Sequence, residues 1–335
     1  MQYLAKKQRN FHNKHPKLNS SNAILKLING YFWRSLSGPF LSFVFPLIII
    51  LILGYTIGYN TALPGAFLLG IIVIGLNVLP STILDFKQSS LLKRIGVTPI
   101  SSRRILLSIC FFYLLIMILS TVVVTCISLL FFTQYWNVGS LITVGEGETS
   151  ISINLPSIKT ILTNVDWGGY CYNIFICIIL SISTGLAFAS IFRTPTTIQS
   201  VSVMLMIIVI LSSGLAVPNQ ISVSNKVIWF GGYITPFKPI INCTYEAWNG
   251  TYKQNGLDGF DWNPDWRNFT NLYGSSIFDF KKTYAVYSTI VLPGSKMGPI
   301  QILTTSEKYV NISVPYAWLS VLIIVIAKKF RWTGR

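Results

Sequence analysis

Residues 39–59 read PFLSFVFPLIIILILGYTIGY, a stretch without a single charged side chain. A helix that crosses the hydrocarbon of a bilayer needs roughly 20 predominantly apolar residues. Only a helix satisfies its own backbone hydrogen bonds there within one segment. This stretch therefore reads as a spanning helix. Four more runs of the same kind follow, at about 63–84, 105–132, 170–192 and 197–217. A shorter one lies at about 314–327, where Lys328 and Lys329 extend the apolar reach by placing their ammonium groups in the interface. The expected fold class is an all-α membrane protein with six transmembrane helices. Composition agrees, with 52% hydrophobic and 11% charged residues, against about 25% charged in a soluble domain. That deficit leaves no room for a second large soluble domain.

The formal charge of +16 has two physical meanings, phosphate binding or membrane topology. Position decides between them. With the N-terminus inside, the segments on the inner side carry seventeen basic residues and one acid, Asp85, while the outer segments carry nine of each. The whole excess then falls on one face, as the positive-inside rule and attraction to anionic lipid require. No nucleic acid is called for. An odd number of spans would move the basic tail KKFRWTGR outside and break the pattern. The expected location is the cell membrane, multi-pass, with both termini cytoplasmic.

The first 17 residues are basic and polar with no apolar core, and read as a cytoplasmic tail rather than a signal peptide. Residues 18–36 follow as an amphipathic helix, with Ser20 or Ser21 as its cap. Ile24, Leu27, Ile28, Tyr31 and Leu36 recur at helical spacing on its apolar side. A helix of this kind before a first span is expected to lie in the interface plane.

Several functions are excluded by what the spans lack. No Asp, Glu, Lys, Arg or His falls inside the six runs, whereas proton relays and voltage sensors depend on such groups. There is no HExxH, and both histidines, His12 and His15, lie in the tail. No phosphate loop of the form G-x-x-x-x-G-K-[ST] occurs, so any energised work draws its energy from another chain. Four of the five cysteines, Cys110, Cys126, Cys171 and Cys177, lie in or beside apolar runs, Cys243 lies in a polar segment, and no CxxC pair exists. They read as small buried hydrophobes rather than metal ligands.

The loop DFKQSSLLKRIGVTPISSRR, residues 85–104, carries the functional signal. Leu91, Leu92 and Ile95 form an apolar face among Lys87, Lys93 and Arg94, and Gly96 with Pro99 ends the helix. A loop that only set topology would need no apolar face on the water side. This loop resembles that of the integral-membrane permeases of the type-2 ABC exporter family, with the general form acidic–x–(K/R)…LLKR(I/L)xxTP(I/L)S. Leu91, Leu92, Lys93, Arg94, Ile95, Thr98, Pro99, Ile100 and Ser101 fall on the matching positions. A second match joins Gly185, Leu186, Ala189, Ser190, Phe192 and Arg193 to Leu211, Gly214, Leu215 and Pro218, and TPFKPIIN around Pro236 is similar to the family's short external helices.

The resemblance implies a permease subunit moving an amphiphilic or polymeric substrate out of the cell. Its partners would be a separate ABC ATPase subunit and a second permease subunit, in a homo- or heterodimer within membrane lipid. This chain itself would bind no cofactor, ATP and Mg being used by the ATPase. The coupling residues implied are Asp85, Lys87, Leu91, Leu92, Lys93, Arg94, Ile95, Thr98 and Pro99, on a coupling helix at 85–102 that enters a cleft of the ATPase. Lys87 is expected to be a rim charge. The polar groups of the second and fifth spans, Asn77, Ser81, Thr82, Ser200, Ser202, Ser212 and Ser213, are the pathway-lining candidates. Small hydroxyls also pack helices or bond their own carbonyls, so Asn77, a mid-span amide, stands out among them. The competing reading is a non-transporting six-helix membrane protein serving assembly, sensing or immunity.

The domain plan is a basic tail at 1–17, an interfacial helix at 18–36, a membrane domain at 37–217, an extracellular segment at 218–311, and the sixth span with its tail at 312–335. The external segment holds Trp229, Trp248, Trp262 and Trp266 and is expected to form a folded cap resting on the membrane. Asp258, Asp261, Asn263 and Asp265 cluster there without the spacing of a calcium loop. Asn242, Asn249, Asn268 and Asn311 sit in N-x-[ST] sequons. Gly54 and Gly58 form a GxxxG pair in the first span.

Overall fold

The computed structural model describes residues 20–56, 59–88, 102–137, 141–144, 151–154, 157–212, 231–248 and 305–330. Nine helices and one strand pair make up these residues: α1 Ser20–Arg34, α2 Ser37–Tyr55, α3 Leu63–Gln88, α4 Ser102–Phe131, β1 Leu141–Val144, β2 Ile151–Asn154, α5 Ile158–Asn164, α6 Trp167–Ile191, α7 Pro195–Ser212, α8 Phe237–Trp248 and α9 Thr305–Lys329. Among the described residues five helices (α2, α3, α4, α6 and α9) are long and apolar enough to cross a membrane, and α7 carries a shorter apolar helix, Thr196–Ser212. The helical expectation holds for the body of the protein. Between α4 and α6 the chain adds a two-stranded antiparallel ladder, with Leu141 opposite Asn154 and Val144 opposite Ile151.

The bundle is organised around α3, 94% of whose apolar window is buried inside the protein. It packs against α2, α4, α6, α7 and α8. The outer helices leave one side open, with Leu107, Phe111, Leu115 and Ile118 of α4 and Ile323 and Ile324 of α9 exposed. In a membrane such faces meet lipid, so their exposure carries no hydrophobic penalty. Hydroxyl side chains in these helices mostly bond back one turn: Thr121 to Met117, Thr125 to Thr121, Ser128 to Val124 and Thr184 to Leu180.

Two π-helical turns, Phe40–Val44 in α2 and Ile74–Val78 in α3, face each other. A π turn shifts the hydrogen-bond ladder by one residue and re-aims nearby groups. The Ser42 carbonyl in the first of them accepts from Ser120 Oγ of α4 at 2.5 Å. At the second, Gly75 lies so close to α6 that a Cβ there would meet Ser181 Cβ at 2.4 Å. A Cβ on Gly185 would meet the Gly75 carbonyl oxygen at 2.5 Å. Two helices touch backbone to backbone at this point, the close approach that small residues permit in membranes.

Three sequence expectations are revised by the packing. The amphipathic helix α1 turns Ile24, Ile28 and Phe32 into the protein core against α4, while Leu36 is 89% exposed. The last helix begins at Thr305, well before residue 314, because Pro315 is accommodated inside it. The segment after the fifth span is also not wholly an external cap. Its helix α8 packs against α3, α6 and α9, with Phe237, Ile240, Ile241 and Tyr245 in the same buried cluster as the π turn of α3. Its far end, Ala247 and Trp248, joins a second cluster with Tyr59, Leu63 and Tyr170, and the Asp166 amide donates to the Ala247 carbonyl at 2.8 Å. The helix thus runs from the middle of the bundle to one end.

Candidate coupling and transport site

One end of the bundle gathers the last turn of α3, Tyr31 of α1, the end of α6 and Phe330. Tyr31 of α1 donates its hydroxyl to the Asp85 carboxylate at 2.5 Å. Burial, and then the hydrogen bond and negative charge of Asp85, push the Tyr31 phenol well above its ordinary range, so it stays a donor. Two residues on, Lys87 Nζ donates to the Ala189 carbonyl at 2.7 Å and lies 4.2 Å from the centre of the Phe330 ring. Gln88 Nε2 donates to the Arg193 carbonyl at 3.0 Å. The last turn of α3 is thereby tied to α1, to the end of α6 and to the residue after α9.

Lys87 thus has partners within the chain. It is half-buried, and its stem and ammonium join three parts of the chain. Phe86, which alternates with Asp85 and Lys87, is buried and lies 5.4 Å from the Tyr31 ring. The expected coupling residues Leu91, Leu92, Lys93, Arg94, Ile95, Thr98 and Pro99 lie outside the described residues. What the structure gives is the foundation on which that loop starts, at Gln88, and ends, at Ser102.

The pathway candidates divide by environment. Asn77 sits in the π turn of α3 and is 8% exposed, on the element that packs against α6 and α7. Thr82 is committed elsewhere, its hydroxyl 2.6 Å from Tyr113 Oη of α4. The Ser81, Ser202 and Ser212 hydroxyls are buried and have no hydrogen-bond partner, and the same holds for Ser181 of α6 near Gly75. Small hydroxyls of this kind also pack helices at close approach. Ser200 is exposed on α7, and Ser213 lies outside the described residues. Gly54 abuts the Phe132 ring rather than another helix backbone, and Gly58 lies outside the described residues.

Sequence reading missed one group. Lys238 is wholly buried in the first turn of α8, and it is the one charged residue among the buried described residues. The six apolar runs do lack ionisable groups, but the protein interior does not. The signal was available in the spacing Phe237, Ile240, Ile241, Thr244, Tyr245, Trp248, which follows a helical period and is buried throughout. The sequon residues Asn242 and Asn311 are buried too; Asn249 and Asn268, like Asp258, Asp261, Asn263 and Asp265, lie outside the described residues. Among the described residues no group of three or more His, Cys, Asp or Glu could hold a metal ion.

No curated protein and no solved structure matches this chain. A family model does, that of the ABC-2 family transporter protein, over residues 54–327. The match runs from the last turn of α2 to the last turn of α9 and takes in the buried helix α8. The chain belongs to the ABC-2 family of transporter permeases, membrane subunits distinct from the ATPase.

Proposed function

We propose that this chain is the membrane-spanning subunit of an ATP-driven exporter, acting as one of a pair and powered by a separate ATPase that binds ATP and Mg. The observation that carries the reading is the braced end of α3. A loop that transmits force between two proteins needs a stiff base. The contacts of Asp85 with Tyr31, of Lys87 with Ala189 and Phe330, and of Gln88 with Arg193 supply one. Displacement of residues 89–101 by an ATPase would be passed at once to α1, α6 and α9. Transport is then a two-state rearrangement biased by a ligand bound on another chain.

The same contacts support a six-span topology. Tyr31, Asp85, Ala189, Arg193 and Phe330 meet at one end of the bundle, so the path from the first to the last must cross an even number of times. The five long helices make five crossings, and α7 supplies the sixth. The unpartnered Ser81, Ser202 and Ser212 hydroxyls, with Asn77, lie along α3 and α7, and in this reading they line the path that opens when the helices move.

The test is capture of the cognate ATPase by the purified permease. Leu92→Asp and Ile95→Asp place a carboxylate in the docking face, where burying it unpaired costs several kcal/mol. Both are expected to abolish capture while the protein remains inserted. Full capture by both variants would mean that the loop is not the docking element. Absence of capture by the unaltered chain would favour a membrane protein that does not transport.

A further inference from the structure

The two π turns and the residues that follow them are built alike. Residues 40–46 read FLSFVFP and residues 74–80 read IGLNVLP. In each, a five-residue π turn is followed by one apolar residue and then a proline, Pro46 in α2 and Pro80 in α3. The apolar residue closes the turn: the Phe45 amide donates to the Phe40 carbonyl, and the Leu79 amide to the Ile74 carbonyl. The next amide in line would be the proline's, and proline has none. The hydrogen-bond ladder is therefore interrupted at the same place in both helices. A proline alone does not produce this arrangement, since the residues ahead of Pro315 in α9 are ordinary α-helix.

The interrupted stretches touch each other and are supported from the side. The Ser42 carbonyl lies four residues before Pro46, which cannot donate to it along the helix. It is the carbonyl that accepts from Ser120 Oγ of α4 at 2.5 Å. A Cβ on Gly70 of α3 would meet Ser120 Oγ at 2.6 Å and Pro46 Cγ at 3.7 Å, so this part of α2 is wedged between α3 and α4. All five residues of the second turn are buried, and the Gly75 carbonyl within it faces Gly185 of α6. Such lateral contacts hold each turn in place without restoring the bonds along its axis. Helices kink where their own ladder is broken, at prolines and at π turns, and π turns concentrate at functional positions.

We propose that the two proline-backed π turns form a paired hinge, at which α2 and α3 bend together. The bend lies between the braced end of α3, at Asp85, Lys87 and Gln88, and its opposite end at Leu63. Because the turns are in contact, a bend in one displaces the other. Gly75 and Gly185 serve as the pivot: the backbones of α3 and α6 touch there, so rotation about that point moves them least. The braced end carries α1 with it, since α1 is joined to the start of α2 through the chain and to Asp85 through Tyr31. Asn77 lies inside the second turn, so its surroundings change with the bend. The hinge is a property of the membrane domain itself and stands apart from the export reading.

Amide hydrogen exchange of the full chain in lipid nanodiscs, read by mass spectrometry, tests the hinge without an ATPase. The reference is residues 68–72 of the same helix, where Leu68, Leu69, Ile71 and Ile72 are as buried as the turn. The amides of residues 75–79 are expected to exchange about tenfold or more faster than those of the reference, the scale of one missing backbone hydrogen bond. Pro80→Ala supplies the missing donor and should reduce that difference to about threefold or less. Pro46→Ala lies on the other helix, and it should slow exchange at 75–79 by about threefold or more if the turns bend as a pair. Pro315→Ala, on α9, should leave residues 75–79 unchanged. Equal protection of 75–79 and 68–72 in the unaltered chain overturns the hinge. Absence of slowing in Pro46→Ala, or the same slowing in Pro315→Ala, overturns the pairing. Because the first comparison uses the unaltered chain, a proline variant that failed to fold would not spare the idea. ATPase capture plays no part in the readout, so failure of the hinge leaves the export reading standing, and failure of capture leaves the hinge.

Discussion

Gly75 and Gly185 fix how closely α3 and α6 approach, and the consequence can be measured. A methyl group on Gly185 would sit 2.5 Å from a backbone oxygen and 2.9 Å from Leu79 Cδ2. The oxygen belongs to the central helix and has nowhere to go, so the helices must separate. Gly185→Ala is expected to destabilise the protein by about 1–3 kcal/mol, as overpacking does, and to lower its melting temperature in detergent by several degrees. Gly30→Ala is the control, since a Cβ there meets nothing and alanine is the better helix former by up to about 1 kcal/mol. It should melt at the same temperature or higher. Equal melting of the two variants would mean that the α3–α6 contact tolerates a shift. The sequence marked Gly185 through its family motif but gave no sign that Gly75 was its counterpart. Contact between residues so far apart in the chain depends on the register of two helices, which neither helix encodes alone.

Elements were legible where one property ran unbroken. The apolar runs at α2, α3, α4 and α6 announce themselves, because each fills a membrane thickness without a charge. The helix α8 was hidden for the opposite reason. Lys238, Asn242 and Thr244 dilute its apolarity, and it follows a stretch that reads as external, so only its periodicity reveals it. The start of α9 was misjudged on similar grounds, since Glu307, Lys308 and Asn311 lower hydropathy without breaking the helix. For the last turn of α3 the sequence supplied the residues but not their partners. Lys87 looked like a surface charge, and its bond to the Ala189 carbonyl and its place over Phe330 make it a brace. Lys87→Met preserves the stem and removes the charge. It should lose about 1–2 kcal/mol from the hydrogen bond and cation–π contact and still capture the ATPase. Stimulation of ATP hydrolysis by transported substrate should fall several-fold, because the loop would move without its base. Unaltered stimulation would mean that force leaves residues 89–101 by another route.

At the scale of the whole molecule, charge and packing agree on which segments share an end. The positive-inside count groups the N-terminal region, residues 85–104, Arg193 and the C-terminal tail. The fold brings Tyr31 to Asp85, Lys87 to Ala189 and Phe330, and Gln88 to Arg193. Charge counting uses no geometry and the contacts use no charge rule, so their agreement is informative. At the other end Tyr59 stacks on Tyr135, 4.8 Å between ring centres, and Asp166 bonds to Ala247. The 30 residues of α4 separate these ends by about 45 Å at 1.5 Å per residue, enough for a bilayer with its headgroups. The basic excess predicts which end faces the cytoplasm. Cysteines at two positions report it, in a protein with Cys110, Cys126, Cys171, Cys177 and Cys243 replaced. A membrane-impermeant maleimide added to intact cells should label Phe260→Cys and spare Ser90→Cys, and Ser90→Cys should react only after the cells are opened. The reverse pattern would place residues 85–104 outside, where no ATPase could reach them. Labelling of both in intact cells would mean either an even number of crossings between the two positions or insertion in both orientations, and the charge asymmetry disfavours the second. With three separate segments tied to the end of α3, inverting one of them alone would break the braces at Asp85, Lys87 and Gln88 together. The orientation is therefore expected to be single.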